Sequence, residues 1–182
     1  MRKLPMHLLA AAALTLGGAC ATAPRTADEK ADLYVEADRT LGMMRSRDPG
    51  LGELLNRSAG YVVFPNIGKG AFVAGGAYGR GILYESGRRR GFVELNQASI
   101  GAQIGAQSFS ELIVFTSPLD VSKLKMGDFS MGANVSAVVL TTGAAAAVEA
   151  NAGTFVFIVP RGGVMAELSV NGQKLNFEPA GG

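Results

Sequence analysis

Apolar residues recur at helical spacing near the start of the chain and at a period of two after residue 60. Leu33, Ala37, Leu41 and Met44 share one stripe between Ala27 and Met44, with Asp28, Lys30, Glu36 and Asp38 on the other faces, which predicts an amphipathic helix. Asp48-Pro49 reads as an N-cap followed by a first-turn proline. It opens a second short amphipathic helix whose apolar face is Leu51, Leu54 and Leu55 and which ends near Ser58-Ala59-Gly60.

Short β-type segments follow at Tyr61 to Phe64, Ala71 to Tyr78, Ile82 to Glu85 and Gly91 to Leu95, separated by Pro65-Asn66, Gly79-Arg80-Gly81 and Gly87. The tandem Ile100-Gly101-Ala102-Gln103-Ile104-Gly105-Ala106-Gln107, read as a strand, puts its apolar side chains on one face and its glycines on the other. Glu111 to Thr116 is another strand. Pro118 to Met126 predicts a short helix with Leu119, Val121 (or Ser122) and Leu124 as its apolar contacts. Strands are expected again at Ala133 to Thr141, Thr154 to Val159, Val164 to Val170 and Lys174 to Phe177, with Asn171-Gly172 as a hairpin turn before the last. The predicted class is α+β: two N-terminal amphipathic helices packed on a glycine-rich, mostly antiparallel sheet or partly closed barrel.

The extreme N-terminus follows a different pattern. Arg2 and Lys3 precede the uncharged run Leu8 to Leu16, which is shorter than the roughly 20 residues a spanning helix needs. Gly17-Gly18-Ala19 then supply small side chains, so residues 1–19 read as a secretory signal peptide ending at the single cysteine, Cys20. Small residues before a lone cysteine suit a lipidation site at Cys20; cleavage after Ala21 is the alternative, giving a soluble periplasmic protein. With residues 20–26 as a lipidated tether, the folded domain is expected over 27–178, with a tail at 179–182. The expected location is the outer membrane, facing the periplasm.

Removing that leader changes the charge. The chain has 17 basic and 15 acidic residues, a formal net charge of +2. Arg2 and Lys3 account for the difference, so the remainder is neutral and has no global field to draw it to nucleic acid. The only histidine, His7, lies in the same leader.

Catalytic templates fail for lack of parts. A Ser-His-Asp triad needs a histidine base, and residues 20–182 contain none. Ser122-Lys123-Leu124-Lys125 matches S-x-x-K, with Ser122 as nucleophile and Lys125 as base, but no K-T-G element accompanies it. Without histidine or a cysteine cluster a transition-metal site is not expected, and the carboxylates form no D-x-D-x-D run for calcium. No cofactor is expected, and the chain reads as a non-enzyme. One feature suits an anion: Arg88-Arg89-Arg90 after Gly87, with Lys69 and Arg80 in neighbouring turns, could place five cations before lipid phosphates.

The order Ala59-Gly60-Tyr61-Val62-Val63-Phe64-Pro65, the cluster Gly75 to Gly81, the IGAQ tandem and the strand Leu112-Ile113-Val114-Phe115 resembles the SYLF domain family. Gly162-Gly163-Val164-Met165-Ala166 fits as well, and the resemblance spans roughly residues 27 to 177. It departs from the family at Gly91-Phe92-Val93-Glu94-Leu95, where many members carry a tryptophan-serine-x-proline element. The resemblance implies a lipid-binding module, and for a bacterial member an envelope protein that binds phospholipid. The expectation is therefore a non-catalytic envelope lipoprotein binding anionic membrane phospholipids through Arg88, Arg89 and Arg90, helped by Lys69 and Arg80. The alternative is a structural or protein-interaction domain of the envelope with a protein partner and no head-group site.

Overall fold

The structure, a computed structural model, describes residue 24 and residues 26–69, 76–97, 107–129, 131, 135–146, 153–161 and 172–180. The signal peptide, Cys20, the run 70–75, most of the IGAQ tandem and the expected strand Val164 to Val170 lie outside these described residues. Helix α1 spans Ala27–Arg47 and α2 spans Leu51–Arg57; the strands are β1 (Gly60–Lys69), β2 (Ala77–Glu85), β3 (Arg88–Gln97), β4 (Gln107–Phe115), β5 (Val135–Val139), β6 (Thr154–Pro160) and β7 (Gln173–Pro179). Helix α3, Pro118–Met126, follows β4.

Helix α1 starts where Thr26 accepts a hydrogen bond from the Glu29 amide, with Asp28 and Glu29 in its first turn and Arg45 and Arg47 in its last, the charge order that suits the helix dipole. Leu33, Ala37, Leu41 and Met44 are all buried. Asp48 is not the N-cap of α2, a position held by Gly50. It closes α1 instead: its amide donates to the Met44 carbonyl, and its buried carboxylate accepts from the amides of Gly50 (3.0 Å) and Ala145 (2.7 Å). Pro49 keeps α1 from running on and sets the elbow between the two helices.

The seven strands form one sheet in the order β5-β6-β4-β1-β2-β3-β7. Five of its pairings are antiparallel and one, β5 with β6, is parallel, so the sheet is mixed. Among the described residues β5 and β7 are its edges, and the partly closed barrel is corrected to an open sheet carrying three helices. The helix after β4 carries the chain past the β6 position to the edge strand β5. Because β5 and β6 are parallel, the chain between Val139 and Thr154 is a crossover that no tight hairpin could make.

Both faces of the sheet are covered. One face presents Tyr61, Val63, Ile82, Tyr84, Leu112, Val114 and Phe157 to α1 and α2. The other presents Val62, Phe64, Leu83, Val93, Ile113 and Phe115 to Val121 and Leu124 of α3 and to Phe129. Double coverage explains why the strands read as apolar runs rather than a clean alternation. The break expected at Pro65-Asn66 is a bulge inside one strand: the register shifts there against both β2 and β4. Proline has no donor to give the ladder, and its carbonyl is taken instead by the buried Ser110 hydroxyl at 2.6 Å.

Candidate functional site: the β2–β3 hairpin

The β2–β3 turn is built from Ser86 and Gly87, both with positive φ (50° and 72°), the backbone of a two-residue hairpin whose twist matches its strands. This turn pushes Arg88, Arg89 and Arg90 out at the start of β3, and all three side chains are exposed. Successive strand residues alternate faces, so the three do not point the same way.

Arg89 lies opposite Tyr84 on the α1 side of the sheet. Its guanidinium pairs with Asp38 of α1 and stacks over the Tyr34 ring, 4.5 Å from the centroid. Tyr84 donates to the same carboxylate at 2.9 Å. Burial first, and then that bond to Asp38, hold the Tyr84 phenol well above its ordinary pKa. Tyr61, stacked on Tyr84 at 5.0 Å between ring centroids, is also raised by burial, with Arg45 opposing and Asp38 adding to the shift. Asp38 therefore ties the hairpin to α1.

Arg90 serves the other side of the sheet. It pairs with Glu85 at 3.0 Å, and Lys125 of α3 reaches the same carboxylate at 2.7 Å. Arg88 makes no ion pair among the described residues. The hairpin thus gathers Arg88, Arg89, Arg90 and Lys125 around Asp38 and Glu85, four cations to two carboxylates.

The other two expected cations stand elsewhere. Arg80 is in the middle of β2, opposite Glu94, and lies 3.9 Å from Glu29 of α1. Lys69 ends β1, paired with Ala77 at the far end of β2, about 27 Å of strand from the turn. The five do not share one edge. No sequence signal linked Lys125 to the arginines, because its partner Glu85 is 40 residues away.

The S-x-x-K pair is not assembled for nucleophilic chemistry. The Ser122 hydroxyl donates to the Pro118 carbonyl one turn back at 3.0 Å, while Lys125 is engaged with Glu85. Among the described residues no three carboxylates, cysteines or histidines cluster as metal ligands, and no helix is long and apolar enough to cross a membrane.

Residues 96–179, from the end of β3 to the end of β7, match the family model Ysc84, described as Las17-binding protein actin regulator. The match is consistent with a SYLF domain, a family of binding domains, and it suggests a lipid-binding or actin-regulatory role. It includes α3 and Lys125 but not Arg80 or the three hairpin arginines. No curated protein matches the chain.

Proposed function

From a chain whose residues 96–179 carry a SYLF-type domain, we propose a non-catalytic phospholipid-binding module of a bacterial cell-envelope lipoprotein, which meets anionic head groups with its β2–β3 hairpin. One observation carries this reading: the local surplus of cations at the hairpin, four against two, on a chain that is neutral overall without its leader. The existing ion pairs do not preclude it. Exposed pairs of this kind contribute under about 1 kcal/mol each, and a phosphodiester offers the guanidinium fork an equally charged, bidentate alternative. Arg88 is available without exchange. At about 1 kcal/mol for each arginine near an anionic surface, the three together supply roughly 3 kcal/mol, about a hundredfold in affinity.

The test is co-sedimentation of the full chain at low salt with phosphatidylglycerol-phosphatidylcholine vesicles and with phosphatidylcholine alone. The readout is the difference between the two, because the apolar run Leu8 to Leu16 can add charge-independent binding. Excess binding to the anionic vesicles, lost when Arg88, Arg89 and Arg90 become serine, is the expected result. Equal binding to both vesicle types, or an unchanged excess in the triple variant, overturns the proposal. The family description favours a second reading, a protein-interaction domain without a head-group site, and that reading expects no anionic excess. Lipidation at Cys20 and outer-membrane anchoring belong to the same proposal; mass spectrometry of the mature N-terminus should find a diacylated cysteine there.

A further inference from the structure

Helix α3 was expected to bury Leu119, and it does not. Ser117 caps the helix by accepting from the Leu119 amide at 3.2 Å, Pro118 fills its first turn, and Gly127 ends it in the left-handed region. Val121 and Leu124 are then the residues that enter the core. This rotation leaves Leu119 59% and Met126 65% exposed, two of the four large hydrophobic side chains exposed among the described residues. Seven residues apart, they stand on the same face of the helix about 10 Å from each other.

The charges of their own segment balance, with the exposed Asp128 two residues beyond Met126, and the cationic excess comes from the adjoining hairpin. Lys123 and Lys125 lie in the last turn, and the sole acid of the helix, Asp120, sits 3.9 Å from Lys123. Lys125 shares Glu85 with Arg90, so the ridge adjoins the cationic hairpin as one surface.

Resting on the lipid-binding reading above, we infer that the Leu119–Met126 ridge of α3 inserts into the interface of an anionic phospholipid bilayer while Lys123, Lys125, Arg88 and Arg90 meet its phosphates. The cationic excess of the adjoining hairpin, Arg88, Arg90 and Lys125 around Glu85, complements an anionic bilayer. The shape fits as well: two isolated apolar tips with Ser122 and Lys123 between them make no continuous patch for a rigid protein partner. A fluid interface accepts single apolar side chains between head groups, and lysines beside them extend toward the phosphates.

The chain has no tryptophan, so Leu119→Trp creates a single local reporter. Val35→Trp is the control, exposed at 56% on α1 across the sheet from α3. With phosphatidylglycerol-phosphatidylcholine vesicles, the fluorescence of L119W should shift to the blue and be quenched by brominated acyl chains, while V35W changes little. In the otherwise native chain, Leu119→Ser with Met126→Ser should weaken the anionic excess in sedimentation about tenfold with an unchanged melting curve. If the anionic excess is present but L119W does not shift, or both reporters shift alike, the inference fails and the head-group reading stands. If there is no anionic excess, both fail. A blue shift that appears without vesicles and grows with protein concentration would identify a second copy of the chain as the occupant and overturn the bilayer.

Discussion

Asp48 is the residue whose removal should cost this fold most for its size. It is 1% exposed, and its two carboxylate oxygens accept from two different amides, Gly50 in the turn into α2 and Ala145 in the turn after β5. A hydrogen bond to a charged acceptor contributes about 1.5 to 3 kcal/mol, and a donor left buried without a partner incurs its full desolvation penalty. Gly50 is exposed, so water can replace the lost acceptor there, and its share is about 1 kcal/mol. Ala145 is buried, 1% exposed, and its amide has no such recourse, so its share is about 3 kcal/mol. Asp48→Ala should therefore lower stability by about 4 kcal/mol, or Tm by about 8 to 16 °C for a domain of this length. Asp48→Asn, which keeps one good acceptor, should fall between that and the native protein. Urea unfolding followed by circular dichroism at constant m-value measures both. A loss below about 1 kcal/mol for Asp48→Ala would refute the view that this carboxylate joins the helical layer to the β5–β6 connection.

Two further outcomes follow from close packing and from a perturbed phenol. A Cβ on Gly91 would lie 2.3 Å from the Glu178 carbonyl oxygen and 2.6 Å from the Phe177 ring, so Gly91→Ala should cost about 2 kcal/mol or more and speed amide exchange along β7. Gly68→Ala, with nothing within 4 Å of the added carbon, should be near neutral by the same measurements. Tyr84 keeps its proton in the folded state beyond its ordinary pKa of 10.0, so the folded chain binds more protons than the unfolded one above that pH. Stability from this group is full below about pH 10 and declines as pH rises further, with the sign of a raised pKa. In an absorbance titration of tyrosinate, Tyr84→Phe should remove amplitude from the late phase alone; loss from the early phase would contradict the buried bond to Asp38.

Local signals made much of the fold readable. The 3.6-residue stripe of α1, the run Leu51, Leu54 and Leu55, and the Pro118–Met126 helix correspond to observed elements because each depends on neighbours within two turns. The strands β4, β6 and β7 fall within a few residues of expectation. What escaped depends on distant partners. Pro65 reads as a break, but flanking strands on both sides carry the chain through it as a bulge. Asp48 has the sequence context of an N-cap, yet one of its acceptor bonds spans 97 residues. Sheet closure is decided by whether the edge strands meet, and no periodicity encodes that. At the site, the turn that exposes Arg88–Arg90 is legible in Gly87, whereas the separation of Lys69 from the arginines follows from strand register. The outward rotation of Leu119 is set by which residues of α3 the core of the sheet accepts, information the nine-residue segment does not hold alone.

The bulge at Pro65 also bears on how the sheet opens. β1 is the fourth of seven strands, and its register slips beside both neighbours within the same few residues, Val63 to Ile67. The central ladder is therefore two shorter ladders, Gly60–Phe64 and Ile67–Lys69, joined through a residue that donates no backbone hydrogen bond. The first lies beneath α1 and α3, with their side chains packed on both faces, while the second extends toward the Ala77 end of β2. Fluctuations that unzip the second need not propagate across Pro65 into the first, because the cooperative chain of backbone bonds is already interrupted there. Along β1 the end that carries the hairpin arginines and α3 is therefore uncoupled from the other end, and the two are joined instead through the β2–β3 ladder, unbroken from Ala77 to Leu83.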